Sequence, residues 1–239
     1  MKLDDVKKLH QKKYRQSLGS YLIEGEHLLL ELERSQIQPS SAVEIYVTES
    51  FESWQTRFKK TLVSEKRMAQ LSDTPSPQGI VARVPMPANI DLPNPSSKLK
   101  TVYLYEPQDP GNLGTILRTL AWFGGFHLAL SPNSVDPFNM KVVRASMGAL
   151  FHVPLSINVP LSALSQFDSL AYLDINGTSI TQPQFKDHRC YVFGNEARGI
   201  PNDITTLTHA SAYTIEGCGA IESLNLASAL NISIFQLAS

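Results

Sequence analysis

The chain has 239 residues, 42% of them hydrophobic and 18% charged, with 21 Lys/Arg against 22 Asp/Glu and a net charge of −1. That composition suits one or two globular domains with a core of useful size, and it excludes a whole-molecule electrostatic signal for nucleic acid. Two cysteines, Cys190 and Cys218, exclude a disulfide or metal framework; no run nears the ~20 apolar residues of a membrane span, and the basic N-terminus lacks the apolar stretch of a secretory signal.

A soluble, cytoplasmic protein without metal is therefore expected. Charge is unevenly spread. Residues 1–85 carry 13 Lys/Arg against 11 Asp/Glu, and residues 86–239 carry 8 against 11. Within 1–17, Lys2, Lys7, Lys8, Lys12, Lys13 and Arg15 face only Asp4 and Asp5.

In chain order, "KLDDVKKLHQKKYRQS" predicts a polar helix, "SYLIEG" a strand and "EHLLLELERS" a helix. "VEIYV" predicts a second strand and "ESFESWQTRFKK" a second helix. "TLVS" and "GIVARV" predict strands around the helical "EKRMAQLS". Strands alternating with helices argue an α/β layer structure. Four prolines in "PMPANIDLPNPSSK" predict an extended linker, because proline blocks both helix and central strand. The expected division is a domain over 1–85, a linker over 86–98 and a second domain over 99–239.

The second domain repeats the alternation. "TVYLYE" predicts a strand, "NLGTILRTLAWFGG" a helix ended by Gly124-Gly125, "FHLAL" a strand and "PFNMKVVRASMGAL" a helix with Pro137 near its start. "SLAYLDI", "CYVFG" and "ASAYTI" are continuous apolar runs, as in strands buried on both faces. A C-terminal helix, apolar nearly all round, is expected from Ser223 onward. The sum is a mainly parallel sheet of about five or six strands.

Sites in open α/β sheets form at the carboxyl ends of strands. Three loops there hold residues that are odd for structure alone. After "TVYLYE", Asn112 reads as a helix N-cap, and Arg118 lies among Ile116, Leu117, Leu120 and Ala121, where a cation usually has a partner or ligand; one solvated Arg on a capped helix is the plainer reading. After "CYVFG", Gly194 and Gly199 bracket Glu196 and Arg198, which either pair with each other at the surface or belong to a ligand loop. The loop is not GxGxxG, and no P-loop occurs, so neither a dinucleotide site nor an NTPase is supported. After "ASAYTI", Ser223 reads as an N-cap, and Asn225, inside an apolar helix, needs partners.

"NLGTILRTLAWFG", "VVRASMGALFHVP", "FGNEARGIP" and "IESLNLASAL" occur in the order and spacing of the TrmH/SpoU-type RNA ribose 2′-O-methyltransferases of the SPOUT class, which the chain resembles over 99–239. "YLIEGEHLLLE" and "QLSDTPSPQGIVARV" resemble that family's substrate-binding domain, which has a ribosomal L30e-like fold. Ile215-Glu216-Gly217 stands where the family often has Pro and Met after the Ile. The resemblance implies an N-terminal L30e-like α/β domain and a C-terminal SPOUT domain, a mainly parallel sheet flanked by helices and tied in a deep trefoil knot. It implies a homodimer and a pocket for S-adenosylmethionine (SAM).

By motif match, Asn112, Arg118, Glu196, Ser223 and Asn225 are implied in catalysis. Leu173, Asp174, Ile175, Asn176, Gly177, Phe193, Gly194, Ile215 and Leu224 are implied in cofactor binding. RNA is the implied substrate, because DNA lacks the 2′-hydroxyl, and Lys8, Lys12, Lys13, Arg15 and Arg144 are the candidate phosphate contacts. Arg144 alternatively braces the fold, and the basic segment alternatively is a solvated helix. Ribosomal RNA is favoured. The alternatives are a transfer RNA ribose methyltransferase and a non-catalytic RNA-binding protein that keeps the fold; a metabolic enzyme with a nucleotide cofactor is disfavoured by the missing phosphate motifs.

Overall fold

The computed structural model describes residues 1–35, 42–201, 203, 204, 207 and 209–239. The chain divides into two compact units. One comprises Met1–Ala88 with Asp136–His152, the other Asn89–Val135 with Val153–Ser239.

The first unit holds a four-stranded sheet of β1 (Ser20–Glu24), β2 (Glu44–Val47), β3 (Lys59–Leu62) and β4 (Ile80–Pro85), in the order β1-β4-β2-β3. β4 runs antiparallel to β1 and β2, and β3 runs parallel to β2. Helices α1 (Leu3–Val6), α2 (Lys12–Leu18), α3 (Glu26–Arg34), α4 (Glu65–Leu71) and α6 (Met140–Ser146) belong to this unit. Its core joins Val6 and Leu9 to Leu22, Tyr46, Met68, Val81 and Met140.

Three expectations change here. The N-terminal helix is broken: a 3-10 turn over Lys7–His10 follows α1, and Gln11 is extended before α2 begins. The reason is Arg15. It is 4% exposed, and its Nη1 donates to the carbonyl oxygens of Leu9 and His10 at 2.8 and 2.9 Å, the orphan acceptors left by the break. Its Nε and Nη2 grip the Asp136 carboxylate at 3.0 and 2.5 Å. Arg15 is thus a structural cation whose donors are engaged within the first unit. Second, "ESFESWQTRFKK" makes only a 3-10 turn at Glu49–Phe51 and then β3. Phe51, Trp54 and Phe58 mimic helical spacing, but the Lys60 ammonium donates to the backbone oxygens of Glu52 and Trp54 and holds the segment as a loop. Third, Asp136–His152 packs with the first unit: Phe138 lies 5.0 Å ring to ring from Tyr21, and Met140 enters the core.

The second unit holds six strands, β5 (Lys100–Leu104), β6 (Phe126–Leu130), β7 (Leu155–Ser156), β8 (Leu170–Ser179), β9 (Cys190–Phe193) and β10 (Ala210–Thr214). The order is β10-β8-β9-β5-β6-β7, and every pairing is parallel. β5, β6 and β9 are nearly or fully buried along their length, as their apolar runs require. The chain winds from β5 to β6 and β7 on one side and returns through β8 and β9 on the other, so the strand order reverses between β5 and β9. The linker residues Asn89 and Ile90 strap onto β7: the Ile157 N–H donates to Asn89 Oδ1 at 2.9 Å, and Ser156 Oγ donates to the Ile90 carbonyl at 2.6 Å.

Helix α5 (Pro110–Phe123) packs against the terminal helix α7 (Leu226–Ala238), with Leu230 and Ile234 fully buried. Thr119 Oγ1 donates to Asn231 Oδ1 at 2.6 Å between them. One face remains open: Trp122 is 85% exposed and Phe235 62%, with Phe123 and Ile232 beside them.

Candidate active site

At the carboxyl ends of β8, β9 and β10 a cavity of about 500 Å³ opens. Each strand contributes differently. β8 pairs with β10 up to Tyr172, opposite Ala212, and resumes at Thr178, opposite Tyr213. The five residues between, Leu173–Gly177, leave the ladder as an excursion. Asn176 N–H donates to Asp174 Oδ1 at 2.9 Å to close its turn. Gly177 is required at its end, because a Cβ there would sit 2.4 Å from the Tyr213 backbone. Gly194 plays the same part after β9: a Cβ would lie 2.4 Å from the Gly199 carbonyl carbon. Asn195 and Gly199 exchange backbone hydrogen bonds at 2.9 Å and cinch the loop.

Of the residues expected to hold a cofactor, Leu173, Asp174, Ile175, Phe193, Gly194, Ile215 and Leu224 line this cavity. Asn176 and Gly177 belong to the same excursion without lining it. Glu196 and Ser223 line it as well.

Glu196, Asn112 and Asn225 form a hydrogen-bonded line at its edge. Glu196 Oε1 accepts from Asn112 Nδ2 at 3.3 Å, and Asn112 Oδ1 accepts from Asn225 Nδ2 at 2.9 Å. Glu196 Oε2 also accepts the Gln108 N–H at 3.4 Å. Capping differs from the sequence expectation at both helices. Asp109, not Asn112, caps α5, accepting the Asn112 N–H at 2.7 Å. Asn225, not Ser223, caps α7, its Oδ1 accepting the N–H groups of Ala227 and Ser228 at 3.0 and 3.3 Å. The asparagine that looked buried in an apolar helix is the helix's first stop, which frees Ser223 to face the cavity.

Arg118 is not embedded. It is exposed on the face of α5 that also presents Thr115 and Trp122, does not line the cavity and makes no hydrogen bond or ion pair among the described residues. Helix phase explains this: Leu113, Ile116, Leu117 and Leu120 take the buried stripe, and Arg118 falls outside it. Glu196 and Arg198 do not pair with each other, since Arg198 bonds the carboxylate of Glu106.

Glu106 and Asn195 were missed by sequence reasoning. The Glu106 carbonyl accepts from Asn195 Nδ2 at 2.7 Å and from Gln108 Nε2 at 2.9 Å, its carboxylate takes Arg198, and its φ of 49° is left-handed. Asn195, 7% exposed, accepts the Ala197 and Arg198 N–H groups at 3.0 Å. A loop residue whose side chain serves backbone groups carries no pattern a single sequence displays.

Among the candidate RNA contacts, Lys8 is held by Asp5 at 2.8 Å. Lys12 and Lys13 are exposed and form no ion pair among the described residues, with Lys13 Nζ 4.7 Å from the Tyr14 ring centre. Arg144 pairs with Asp73 at 3.1 Å within the first unit, which favours the bracing role. Among the described residues no group of three or more His, Cys, Asp or Glu is placed to hold a metal ion, and no helix is long and apolar enough to cross a membrane.

The geometry has counterparts. The SpoU rRNA Methylase family matches residues 100–235, and the MRM3-like substrate binding domain matches residues 2–82. A Bacillus subtilis 23S rRNA guanosine 2′-O-methyltransferase, RlmP, is 31% identical, covering 99% of this chain and 95% of its own. A TrmH-family structure from Porphyromonas gingivalis superposes with a TM-score of 0.83 at 29% identity, covering 98% of this chain and 96% of that one. The SpoU methyltransferase AviRb from Streptomyces viridochromogenes, solved with AdoMet, superposes with a TM-score of 0.84 at 22% identity over 99% and 96% of the two chains. The match over more than half of the chain, together with the full-length relative, places this protein in the SpoU rRNA methylase family.

Proposed function

We propose that the protein methylates ribosomal RNA on a ribose 2′-hydroxyl with SAM as donor, that it does so in the cytoplasm, and that its working form is a homodimer. The observation that carries the reading is the cavity at the ends of β8, β9 and β10 with the Glu196–Asn112–Asn225 line at its edge. Ribosomal RNA is favoured by the full-length relative, named as a 23S rRNA enzyme.

The cavity fits the cofactor. Its volume lies in the range of small-molecule sites. Leu173, Ile215, Leu224 and Leu226 offer apolar walls, and the strand-end backbone of Phe193 and Gly194 offers hydrogen bonds. When bound there, SAM supplies an electrophilic methyl group. The chain's residues must bring the acceptor oxygen into line with it, and such positioning contributes up to about 7–11 kcal/mol. Both oxygens of Glu196 are engaged as acceptors, so Glu196 orients Asn112. Asn112 and Ser223 then present polar atoms to the ribose. Arg118 brings five donors and no acceptor. It clamps an RNA phosphate and stabilises the developing 2′-oxyanion, and the hydroxyl proton leaves to phosphate or solvent.

Trp122 and Phe235 support the dimer, because an apolar face this exposed marks an interaction surface. Arg118 lies one helical turn before Trp122, so a second copy on this face brings Arg118 against its partner. In the first unit, Lys12 and Lys13 beside Tyr14 supply phosphate contacts. The test is labelled SAM with ribosomal subunits, naked 23S and 16S transcripts and bulk transfer RNA, followed by nuclease digestion and mass spectrometry. A 2′-O-methyl nucleotide in ribosomal RNA is expected; label in transfer RNA alone moves the substrate, and label in no RNA overturns the reading.

A further inference from the structure

Tyr213, which helps to line the cavity, belongs to an aromatic cluster with Phe185, His188 and Tyr191. Tyr213, 5% exposed, stands at the register break of β10, where the Leu173–Gly177 excursion rejoins the ladder. Its backbone touches Gly177 on one side. Its ring lies 5.0 Å from that of Phe185 and 5.2 Å from the imidazole of His188, and its hydroxyl is 2.8 Å from His188 Nε2.

His188 is itself anchored. The Lys100 ammonium donates to the carbonyl oxygens of Lys186 and His188 at 2.6 and 3.0 Å, and Tyr191 Oη donates to the Phe185 carbonyl at 2.8 Å. His188 is 7% exposed, and its other ring nitrogen, Nδ1, is buried without a partner among the described residues. An apolar side chain would fill this space without that desolvation cost. Packing alone therefore does not call for histidine, and the imidazole's hydrogen bond to Tyr213 does. Burial lowers the imidazole pKa and raises that of the Tyr213 phenol, so it favours the neutral form of both partners.

The ladder holds Tyr213 opposite Thr178, but Leu173–Gly177 have no partner in β10, so the edge of the break rests on that one pairing and on the Tyr213 side chain. We infer that His188 is a positioning residue for the cofactor cavity: through the Tyr213 hydroxyl it fixes the strand break from which Leu173–Gly177 wraps around SAM. This rests on the reading of the cavity as the SAM site.

Tyr213→Phe, His188→Leu and His188→Gln test it, compared by calorimetry with SAM and by amide hydrogen exchange of the ligand-free protein. Tyr213→Phe and His188→Leu should weaken SAM binding about five- to tenfold, the worth of one neutral hydrogen bond. They should also speed exchange across 173–177. His188→Gln, whose amide nitrogen reaches the Nε2 position, should restore most of both. Tyr213→Phe removes one oxygen atom and carries the test if His188→Leu fails to fold. Wild-type affinity and wild-type exchange in Tyr213→Phe overturn the inference, as does a His188→Gln protein no better than His188→Leu. If the wild-type protein does not bind SAM, the cofactor reading fails instead, and the ligand-free exchange data still decide whether His188 holds the excursion.

Discussion

The Asn225 side-chain Nδ2 donates to Asn112 Oδ1 at 2.9 Å, and this bond fixes the direction of the whole polar line. Asn225 Oδ1 is committed to two N–H groups at the start of α7, so Nδ2 must face Asn112. Asn112 Oδ1 accepts it, so Asn112 Nδ2 must face Glu196. The partial positive end of α7 is thereby linked through two amides to a carboxylate.

Asn225 does two jobs that substitution separates. Asn225→Asp keeps the N-cap acceptor but turns the donor toward Asn112 into an acceptor. It should unfold near the wild-type temperature and lose methylation in single turnover. Asn225→Ala loses both and should also cost about 1 kcal/mol of stability. Full turnover by Asn225→Asp shows that the line is not part of the chemistry.

Arg15 and its basic neighbours should part company in the same way. Arg15 spends its donors on Asp136 and the two carbonyls that end the first turn. Breaking a buried pair of this kind costs about 3–5 kcal/mol, so Arg15→Ala should shift chemical denaturation strongly. Lys12→Ala and Lys13→Ala should leave stability unchanged and each lower the salt slope of RNA binding by about one. A stable Arg15→Ala protein with only weakened RNA binding would restore Arg15 to the RNA surface.

Much of the second sheet was legible. "FHLAL" and "CYVFG" are buried runs that declare central strands, and the glycines after β9 declare a close approach that the Gly194–Gly199 geometry explains. What was not legible depended on distant partners. Arg15 looks like the other basic residues around it, and its ion pair with Asp136, 121 positions away, is what no local pattern displays. Asp136–His152 lies in sequence between segments of the second unit, yet it belongs to the first, whose core Met140 enters. Asn225 and Ser223 are both competent N-caps, and the choice between them rests on where Asn112 stands.

Stability should fall with acid in two stages that report on different units. His127, in the second unit, is buried against Ser156 Oγ at 2.8 Å, and burial pulls its pKa from 6.5 down to about 4. The unfolded chain binds that proton first, so the contribution is complete above pH 6.5 and drains away as the pH falls through about 4. Glu44, in the first unit, is also desolvated, which raises its pKa, but Lys59, Tyr46 and the N-terminal amine outweigh this and lower it from 4.5 to about 2. Its contribution is present above pH 4.5 and lost toward pH 2. His127→Gln keeps a donor for Ser156 and should flatten the upper stage alone. Urea titrations at stepped pH check this, and an unchanged upper stage in His127→Gln refutes the assignment.

Arg118 gives the most exacting test. It stands on an exposed helix face, unpaired among the described residues and outside its own chain's cavity lining. A residue so placed has no structural task, so Arg118→Ala should fold and bind SAM as the wild type does. If it donates to the developing oxyanion, single-turnover methylation should fall about 10²–10³-fold. Arg118→Lys should fail too, because a point charge does not reproduce the planar fork. The proposed dimer adds a sharper outcome. If Arg118 serves the partner's cavity, then Arg118→Ala and Glu196→Ala proteins, each inactive alone, should recover activity when refolded together. One intact site per mixed dimer, in a random mixture, gives about one quarter of the wild-type rate. No recovery in a mixture that demonstrably contains mixed dimers would place Arg118 in its own subunit's site, and near wild-type turnover by Arg118→Ala would remove it from the chemistry altogether.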